Sequence, residues 1–310
     1  MPHEQTVKWR KSSPSHASAR PSRASAYRGR IAPSPTGLLH LGHARTFLVA
    51  FERARDARGA LVLRDEDLDP QRSRAEFAAA MIEDLRWIGI DWQEGPDVGG
   101  PFGPYEQSAR RAFYEEAWRA LVAAGHAYPC VCSRRDLAQS ARAPHESPQP
   151  HADDEPIYPG TCRPRAHATI KVPDSPRGVN WRFRVPDGEA VSFDDLNLGP
   201  QRFVAGRDFG DFLVWRRDDV PSYQIACAVD DASMRITEVV RGADLLKSTA
   251  RQILLQRALG HATPDYFHCE LVRDERGERL AKRHDALALR HLRERGLTPA
   301  EVRAQFSNLM

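Results

Sequence analysis

The sequence predicts an α/β fold, a doubly wound parallel sheet interrupted by an inserted lobe. Three observations lead to it. A strand ending passes through a Pro/Gly-rich loop directly into a helix at Arg30-Ile-Ala-Pro-Ser-Pro-Thr-Gly-Leu-Leu-His-Leu-Gly-His-Ala-Arg45. Short apolar runs alternate with stretches of helical period both early and late in the chain. Between these halves lies a segment rich in Cys, Pro and His, followed by the alternation of β structure.

Residues 1–28 are rich in Ser, Arg, Pro and Ala and cannot bury enough apolar surface to offset the entropy of ordering, so a disordered basic tail is expected, read as an inert extension ahead of two alternatives, an RNA-attracting arm and an organellar transit peptide. Within residues 1–30, Lys8, Arg10, Lys11, Arg20, Arg23, Arg28 and Arg30 face only Glu4, so the positive charge is concentrated at one end. The body is slightly acidic, and its charge alone gives no reason to expect nucleic acid. A length of 310 residues suits one large domain or two ordinary ones. No apolar run approaches membrane length and the start lacks an apolar signal core, so a soluble, cytoplasmic protein without a membrane partner is expected. Five cysteines, an odd number with two in Cys-x-Cys, point to thiol or metal chemistry rather than a disulfide framework.

In the opening loop Pro33 and Pro35 hold the backbone extended and Gly37 permits a tight bend. Leu41, Ala44, Leu48 and Phe51 then mark a helical face. His40, Gly42 and His43 therefore fall at the helix N-terminus, where free N–H groups and the positive end of the dipole favour an anion. Gly42 leaves room for a nucleotide, and the two imidazoles can donate to a phosphoryl group gaining charge. Ala60-Leu-Val-Leu-Arg64 reads as a parallel strand leading into Arg64-Asp-Glu-Asp-Leu-Asp-Pro70, carboxylates at the rim where such sheets bind ligands. Asp65 and Asp69 are read as a solvated acidic turn. Two helices follow, with Phe77, Met81, Leu85 and Ile88 on one face and Phe113, Ala117, Leu121 and Ala124 on the other, both assigned to the core.

Cys130 and Cys132 can reach one ion from a turn, and Cys162 supplies a third thiolate after a Pro/His/Ser-rich stretch from Pro144 to Pro156. By chemistry the fourth ligand is open among Tyr158, His145, His151 and His126, with histidine the commoner zinc ligand. Cys227 and Cys269 are read as core. Trp181–Val185 and Val191–Phe193 alternate as strands, and the second half of the sheet is expected from near Asp208. There Phe212–Arg217, Tyr223–Asp231 and Arg235–Leu246 give strand, helix and strand signals. Leu246, Ala250, Ile253, Leu254 and Ala258 mark a further helix ending near Gly260. The resulting divisions are the tail at 1–28, a first sheet half at 29–128, an inserted lobe at 129–205, a second half at 206–290 and a short helical segment at 291–310. No G-x-G-x-x-G follows the first strand and no Walker A lysine loop is present, which disfavours a dehydrogenase or a P-loop enzyme.

His40-Leu-Gly-His43 resembles the HIGH signature of class I aminoacyl-tRNA synthetases, and the run from Ala32 to His43 resembles the glutamyl branch. The resemblance extends from Arg30 to about Leu289. It implies a class I aminoacyl-tRNA synthetase-like Rossmann fold with an inserted zinc-containing lobe that binds the acceptor, where Arg163, Arg165 and Arg182 are the arginines at hand for RNA. It implies an L-glutamate site made of Arg30, Ile31, Ala32, Pro33, Ser34, Glu66, Tyr223 and Arg241. A substrate with two carboxylates and one ammonium wants two cationic forks and one anion, which Arg30, Arg241 and Glu66 supply. It implies an ATP site at His40, Gly42, His43 and Lys282, with His40, His43 and Lys282 catalytic and Mg²⁺ accompanying ATP. Asp274 to Arg283 is similar to the KMSKS loop in eroded form: Arg279 stands for the first lysine, Lys282 keeps the second, and the serine is missing.

In the branch of the family that glutamylates queuosine, a C-x-C followed by Y-x-x-x-C holds zinc, which selects Cys130, Cys132, Tyr158 and Cys162. Glutamyl-tRNA synthetases continue into a helical anticodon-binding region after the point where this chain ends. The resemblance thus implies an enzyme without the part that reads tRNA(Glu)'s anticodon, one that activates L-glutamate with ATP and transfers it to tRNA(Asp) bearing queuosine, acting as a monomer. Charging of tRNA(Glu) by a truncated synthetase, or a catalytically silent nucleotide- or RNA-binding relative, are the alternatives.

Overall fold

The computed structural model describes residues 26–133, 136, 157–165, 170–271 and 288–307. Strand β1 (Arg28–Ile31) leads through the Pro/Gly loop into helix α1 (Leu41–Asp56), which returns the chain to β2 (Ala60–Leu63). The two strands pair in parallel, Arg28 opposite Ala60 and Ile31 opposite Leu63. Leu61, Val62 and Leu63 are buried, as expected of a parallel strand covered on both faces. Helix α2 (Ala75–Trp87) buries Met81 and Leu85, and together with α1 it encloses one half of the core around Ile31, Leu48 and Ile88.

Helix α3 (Arg111–Ala123) buries Ala117 and Leu121 of the predicted stripe but not its two ends. Tyr114, Ala117, Trp118, Leu121 and Val122 are buried, whereas Phe113 is 41% exposed and Ala124 lies at the surface. The physical reason is Tyr114: its hydroxyl donates to Asp230 at 2.9 Å, so a residue with a polar end is satisfied inside. Phe113 instead lies under the Arg110 guanidinium, 4.5 Å away.

Strand β3 (Ala127–Cys130) pairs antiparallel with β4 (Asn180–Phe183). Strand β5 (Ala190–Asp195) pairs antiparallel with β6 (Gly199–Val204). Strand β7 (Phe212–Trp215) is followed by α4 (Tyr223–Ser233), β8 (Glu238–Gly242), α5 (Leu246–Leu259) and β9 (Asp265–Cys269). Gly260 ends α5 at φ +71°, the left-handed conformation that glycine takes without strain. Two short helices, α6 (Leu289–Glu294) and α7 (Pro299–Ser307), close the described chain.

Two strands take partners other than those the predicted divisions imply. β7 pairs with β4 in a three-stranded antiparallel sheet, and β5 joins β9 in parallel at Asp195 and Tyr266, in a sheet ordered β6-β5-β9-β8. Alternation signals a strand without naming its neighbour. Here the tryptophans decide: Trp118 packs edge-on against Trp181 at 5.0 Å and lies 6.3 Å from Trp215, which draws β7 to β4 over α3. The β1–β2 pair meets the other sheet at β8, where the Thr237 amide donates to the Arg28 carbonyl at 2.9 Å. Among the described residues, no helix is long and apolar enough to cross a membrane.

Candidate active site

The loop between β1 and α1 is held open by backbone bonds to its neighbours. Glu66 N–H donates to Pro33 C=O (3.0 Å) and Arg74 N–H to Pro35 C=O (3.0 Å). His40 has extended backbone (φ −113°, ψ 168°) and its carbonyl accepts from His43 and Ala44, opening α1 without a side-chain cap. The first-turn amides are thus aimed outward at the loop. The His40 and His43 rings face one another with centroids 4.4 Å apart and planes tilted by 31°. A Cβ placed on Gly42 would meet nothing within 4 Å. Its glycine therefore serves open space above the helix rather than backbone strain, as a flat ligand lying there requires.

The stretch 272–287 lies outside the described residues, and with it Lys282 and the whole Arg279–Arg283 segment. The two flanks are held at α1 and the loop before it: the Arg45 guanidinium donates to Glu270 C=O at 3.1 Å, and Leu289 N–H to Leu39 C=O at 2.7 Å. The tail, apart from residues 26–28, and the residues His145 and His151 also lie outside.

Four of the residues assigned to glutamate converge where β1, β2, α4 and β8 meet. Arg30 donates from Nη1 to Val240 C=O (2.8 Å) and lies 3.5 Å from Asp231. Glu66 Oε1 accepts from Arg64 Nη2 (3.0 Å) and from the Cys227 thiol (3.3 Å). Arg64, 0% exposed, also donates to Asp231 at 2.7 Å. Burial opposes ionisation of Asp231, but Arg64 and Arg30 outweigh it and hold that carboxyl below the usual range. Tyr223, the first residue of α4 behind the Ser222 cap, has its phenol pushed up by burial and stays protonated. Arg241 is buried and bonded to Gln252 (2.8 Å), Thr249 (2.6 Å) and His268 (3.3 Å). Ser34 is exposed beside these groups, at the mouth, whereas Ile31 and Pro33 are buried in the loop's support. A cleft of about 400 Å³ opens from Ser34, Glu66 and Tyr223 toward Asp69, Phe212, Arg216 and Arg251.

Several members of this cluster were missed from sequence: Arg64, Cys227, Asp230, Asp231, Thr249, Gln252, His268 and Asp195. Cys227 is buried as expected, yet beside the Glu66 carboxylate rather than among apolar groups alone. The adjacent acids at 230 and 231 in an otherwise apolar helix were the available signal. The acidic turn also needs correction. Asp65 is only 5% exposed, its carboxyl raised to about 7 by burial and then by the charges of Asp67, Glu106 and Glu66. Asp69 is half-buried, accepting from Gln71 N–H and pairing with Arg216 at 3.2 Å.

At the second candidate centre the ligand atoms of Cys130, Cys132 and Cys162 all lie within 4.8 Å of one another. Cys132 and Cys162 are 3.5 Å apart at sulfur, and the Tyr158 hydroxyl lies 3.4 Å from Cys130 and 3.6 Å from Cys132. Zn–S bonds of about 2.3 Å at tetrahedral angles place ligand sulfurs about 3.8 Å apart, so the donor set fits that ion. Burial works against the Cys162 thiolate, but the Tyr158 hydroxyl and the Val131 amide bring the thiol down to about 7. His126 stacks on Phe183 instead of joining the thiols, with ring centroids 6.0 Å apart. Arg182, expected to meet RNA, is buried: it donates to Cys130 Sγ (3.3 Å) and Asp211 C=O (2.9 Å) and covers the Tyr158 ring. Arg163 pairs with Asp187 and Asp211, and Arg165 alone of the three is exposed.

A family model described as tRNA synthetases class I (E and Q), catalytic domain, matches residues 26–308. The chain belongs to this family. Its fold is that of the class I synthetase catalytic domain, an ATP-dependent ligase. It is 50% identical over 275 residues to the Glutamyl-Q tRNA(Asp) synthetase of Symbiobacterium thermophilum, covering 88% of this chain and 83% of that one. It is 47% identical over 279 residues to the protein of the same name from Nitratidesulfovibrio vulgaris, covering 89% and 83%. A crystal structure of a glutamate tRNA ligase from Elizabethkingia meningosepticum in complex with its amino acid matches with a TM-score of 0.70 at 30% identity, over 84% of this chain. The chain spans 52% of the length of that ligase. For this member of the class I E and Q family, the loop before α1 and the buried arginine cluster lie side by side at the C-terminal ends of parallel strands, where open α/β sheets bind ligands.

Proposed function

We propose that the chain activates L-glutamate with ATP and transfers the glutamyl group to the queuosine of tRNA(Asp). The observation that carries the reading is the convergence of Arg30, Glu66 and Arg241 beside the His40–His43 helix end: two cations and one anion, the complement of glutamate, next to an anion-binding turn. The two relatives called Glutamyl-Q tRNA(Asp) synthetase support the acceptor.

In the first step an oxygen of the α-carboxylate attacks the α-phosphorus of ATP. The bond from that phosphorus to the bridging oxygen breaks, leaving glutamyl-adenylate and pyrophosphate. Arg30 and Arg241 hold the two carboxylates, Glu66 receives the ammonium, and Tyr223, Ser34 and the loop from Ile31 to Pro33 wall the pocket. His40 and His43 donate to the oxygens that gain charge, over the open face at Gly42, and Lys282 meets the phosphates as a point charge; Mg²⁺ arriving with ATP would supply further charge dispersal there. The anchoring of the two flanks of 272–287 on α1 and on the loop before it supports that role for Lys282. In the second step a hydroxyl of the acceptor attacks the glutamyl carbonyl and AMP leaves. The 400 Å³ cleft beyond Glu66 and Tyr223 is the approach for that hydroxyl.

Cys130, Cys132, Tyr158 and Cys162 would hold one zinc ion, whose contribution is to tie β3 to the segment around Tyr158 in the acceptor-binding lobe. Glutamate-dependent ATP–pyrophosphate exchange tests activation, and its absence identifies a silent nucleotide- or RNA-binding relative. Charging of tRNA(Asp) with and without queuosine tests the acceptor. A second reading, charging of tRNA(Glu), is favoured by the likeness to a glutamate tRNA ligase and predicts the opposite acceptor preference.

A further inference from the structure

Arg241 is buried, and among the described residues every side chain it hydrogen-bonds is uncharged: Gln252 Oε1, Thr249 Oγ1 and His268 Nε2. Arg64, equally buried, is bonded instead to the carboxylates of Asp231 and Glu66. A desolvated guanidinium held by neutral acceptors is ready for an anion, provided its partners stay acceptors. His268 is the partner that can fail. A neutral imidazole has one N–H and one lone pair, and the bond at one nitrogen determines what the other offers.

His268 Nδ1 lies 2.5 Å from Asp195 Oδ2. Asp195 is itself fixed by the amides of Asn197 (3.0 Å), Leu198 (2.9 Å) and His268 (3.1 Å). Burial disfavours the Asp195 carboxylate, but these donors outweigh it and keep it ionised. Burial and the Arg241 charge push His268 down to about 4, so the ring is neutral at physiological pH. We propose that Asp195 and His268 are positioning residues of the amino-acid pocket: Asp195 keeps the ring proton on Nδ1, so that Nε2 accepts from Arg241 and the guanidinium is oriented toward a glutamate carboxylate. This rests on the reading of Arg241 as a carboxylate ligand.

Asp195→Asn retains an oxygen for the amides of Asn197 and Leu198 but presents N–H to Nδ1. The ring proton moves to Nε2, which then donates to Thr249 Oγ1 (2.9 Å) and no longer accepts from the Arg241 guanidinium (3.3 Å). In ATP–pyrophosphate exchange the KM for glutamate rises about tenfold or more, while kcat and the KM for ATP stay within about twofold, the pattern of lost ground-state binding. A purely structural Asp195 would lower thermal stability and leave the KM for glutamate alone. In an Arg241→Lys background, Asp195→Asn adds less than about twofold, because the relay acts through Arg241. An unchanged KM for Asp195→Asn, or the same factor in both backgrounds, overturns the relay. If Arg241→Lys itself leaves the KM for glutamate unchanged, the pocket reading fails; if it raises KM while Asp195→Asn is silent, the relay alone fails. Should Asp195→Asn not fold by circular dichroism, His268→Leu, which removes the acceptor outright, takes its place, and an unchanged KM there overturns the proposal in the same way.

Discussion

The amino-acid pocket and the cysteine cluster are both built from buried or half-buried polar groups, yet they are completed differently. In the pocket, Arg64 and Arg110 neutralise Asp231, Glu66 and Asp230 through three bonds of 2.6–3.0 Å. In the cluster, three thiols and a phenol face one another at 3.4–3.6 Å, with weak S–H donors and a single bond from the Arg182 guanidinium among the described residues. The first is a scaffold that stands without its ligand. The second is a set of soft donors whose mutual approach is stabilised by a cation.

Metal removal tests that difference most strongly. Chelation is expected to open the lobe around Cys130, Cys132, Tyr158 and Cys162 while ATP–pyrophosphate exchange persists, because structural zinc contributes on the order of 10 kcal/mol to local folding. Limited proteolysis should then cut near residues 131–165, and metal analysis of the untreated protein that finds no zinc removes the assignment. In the pocket the corresponding lesion is Asp230→Ala. Asp230 accepts from Arg110 (2.6 Å), Gln107 (2.7 Å) and Tyr114 (2.9 Å), so its loss leaves a buried guanidinium uncompensated. A loss of about 3–5 kcal/mol is expected in denaturant unfolding. A change below about 1 kcal/mol would mean that water reaches Arg110 and that the scaffold is less closed than its bonds imply.

His40→Ala and His43→Ala should leave folding stability nearly unchanged, since both rings lie at the open end of α1. Pyrophosphate exchange is expected to fall by a factor of about 10² to 10³, or roughly 3–4 kcal/mol, the usual penalty for deleting one transition-state donor. Exchange at the unmutated rate would take both imidazoles out of the reaction.

Legibility from sequence followed the range of the interaction. The β1–loop–α1 joint was readable because Pro33, Pro35, Gly37 and the Leu41–Leu48 spacing act locally, and the Cys130–Cys132–Cys162 grouping because thiol spacing is itself a constraint. Arg64, Asp195 and His268 were not, since their partners lie 167, 73 and 27 residues away, at Asp231, His268 and Arg241. Pairings of β5 with β9 and β7 with β4 escaped for the same reason: period-two alternation carries no information on which edge a strand meets. The Tyr114 side of α3 escaped because its hydroxyl has a distant carboxylate to bond.

Asp65 is where the pocket scaffold itself falls short, and it gives the finest test of the contrast. It sits one residue before Glu66, and its Oδ1 has no hydrogen-bond partner among the described residues. Burial, helped by Asp67, Glu106 and Glu66, raises the carboxyl from 3.8 to about 7. A folded-state value above the unfolded one means that the group favours folding most at low pH. That contribution is lost as pH rises between about 4 and 7, while the unfolded chain ionises first. Asp65→Asn, neutral throughout, should therefore match the wild type below pH 4 and exceed it by about 1–2 kcal/mol at pH 8, less than the whole shift because local relaxation restores part of the solvation. Denaturant unfolding at the two pH values measures the difference. Equal stability at pH 8 would mean that Asp65 is as well paired as Asp230, and the pocket would then have no weak member.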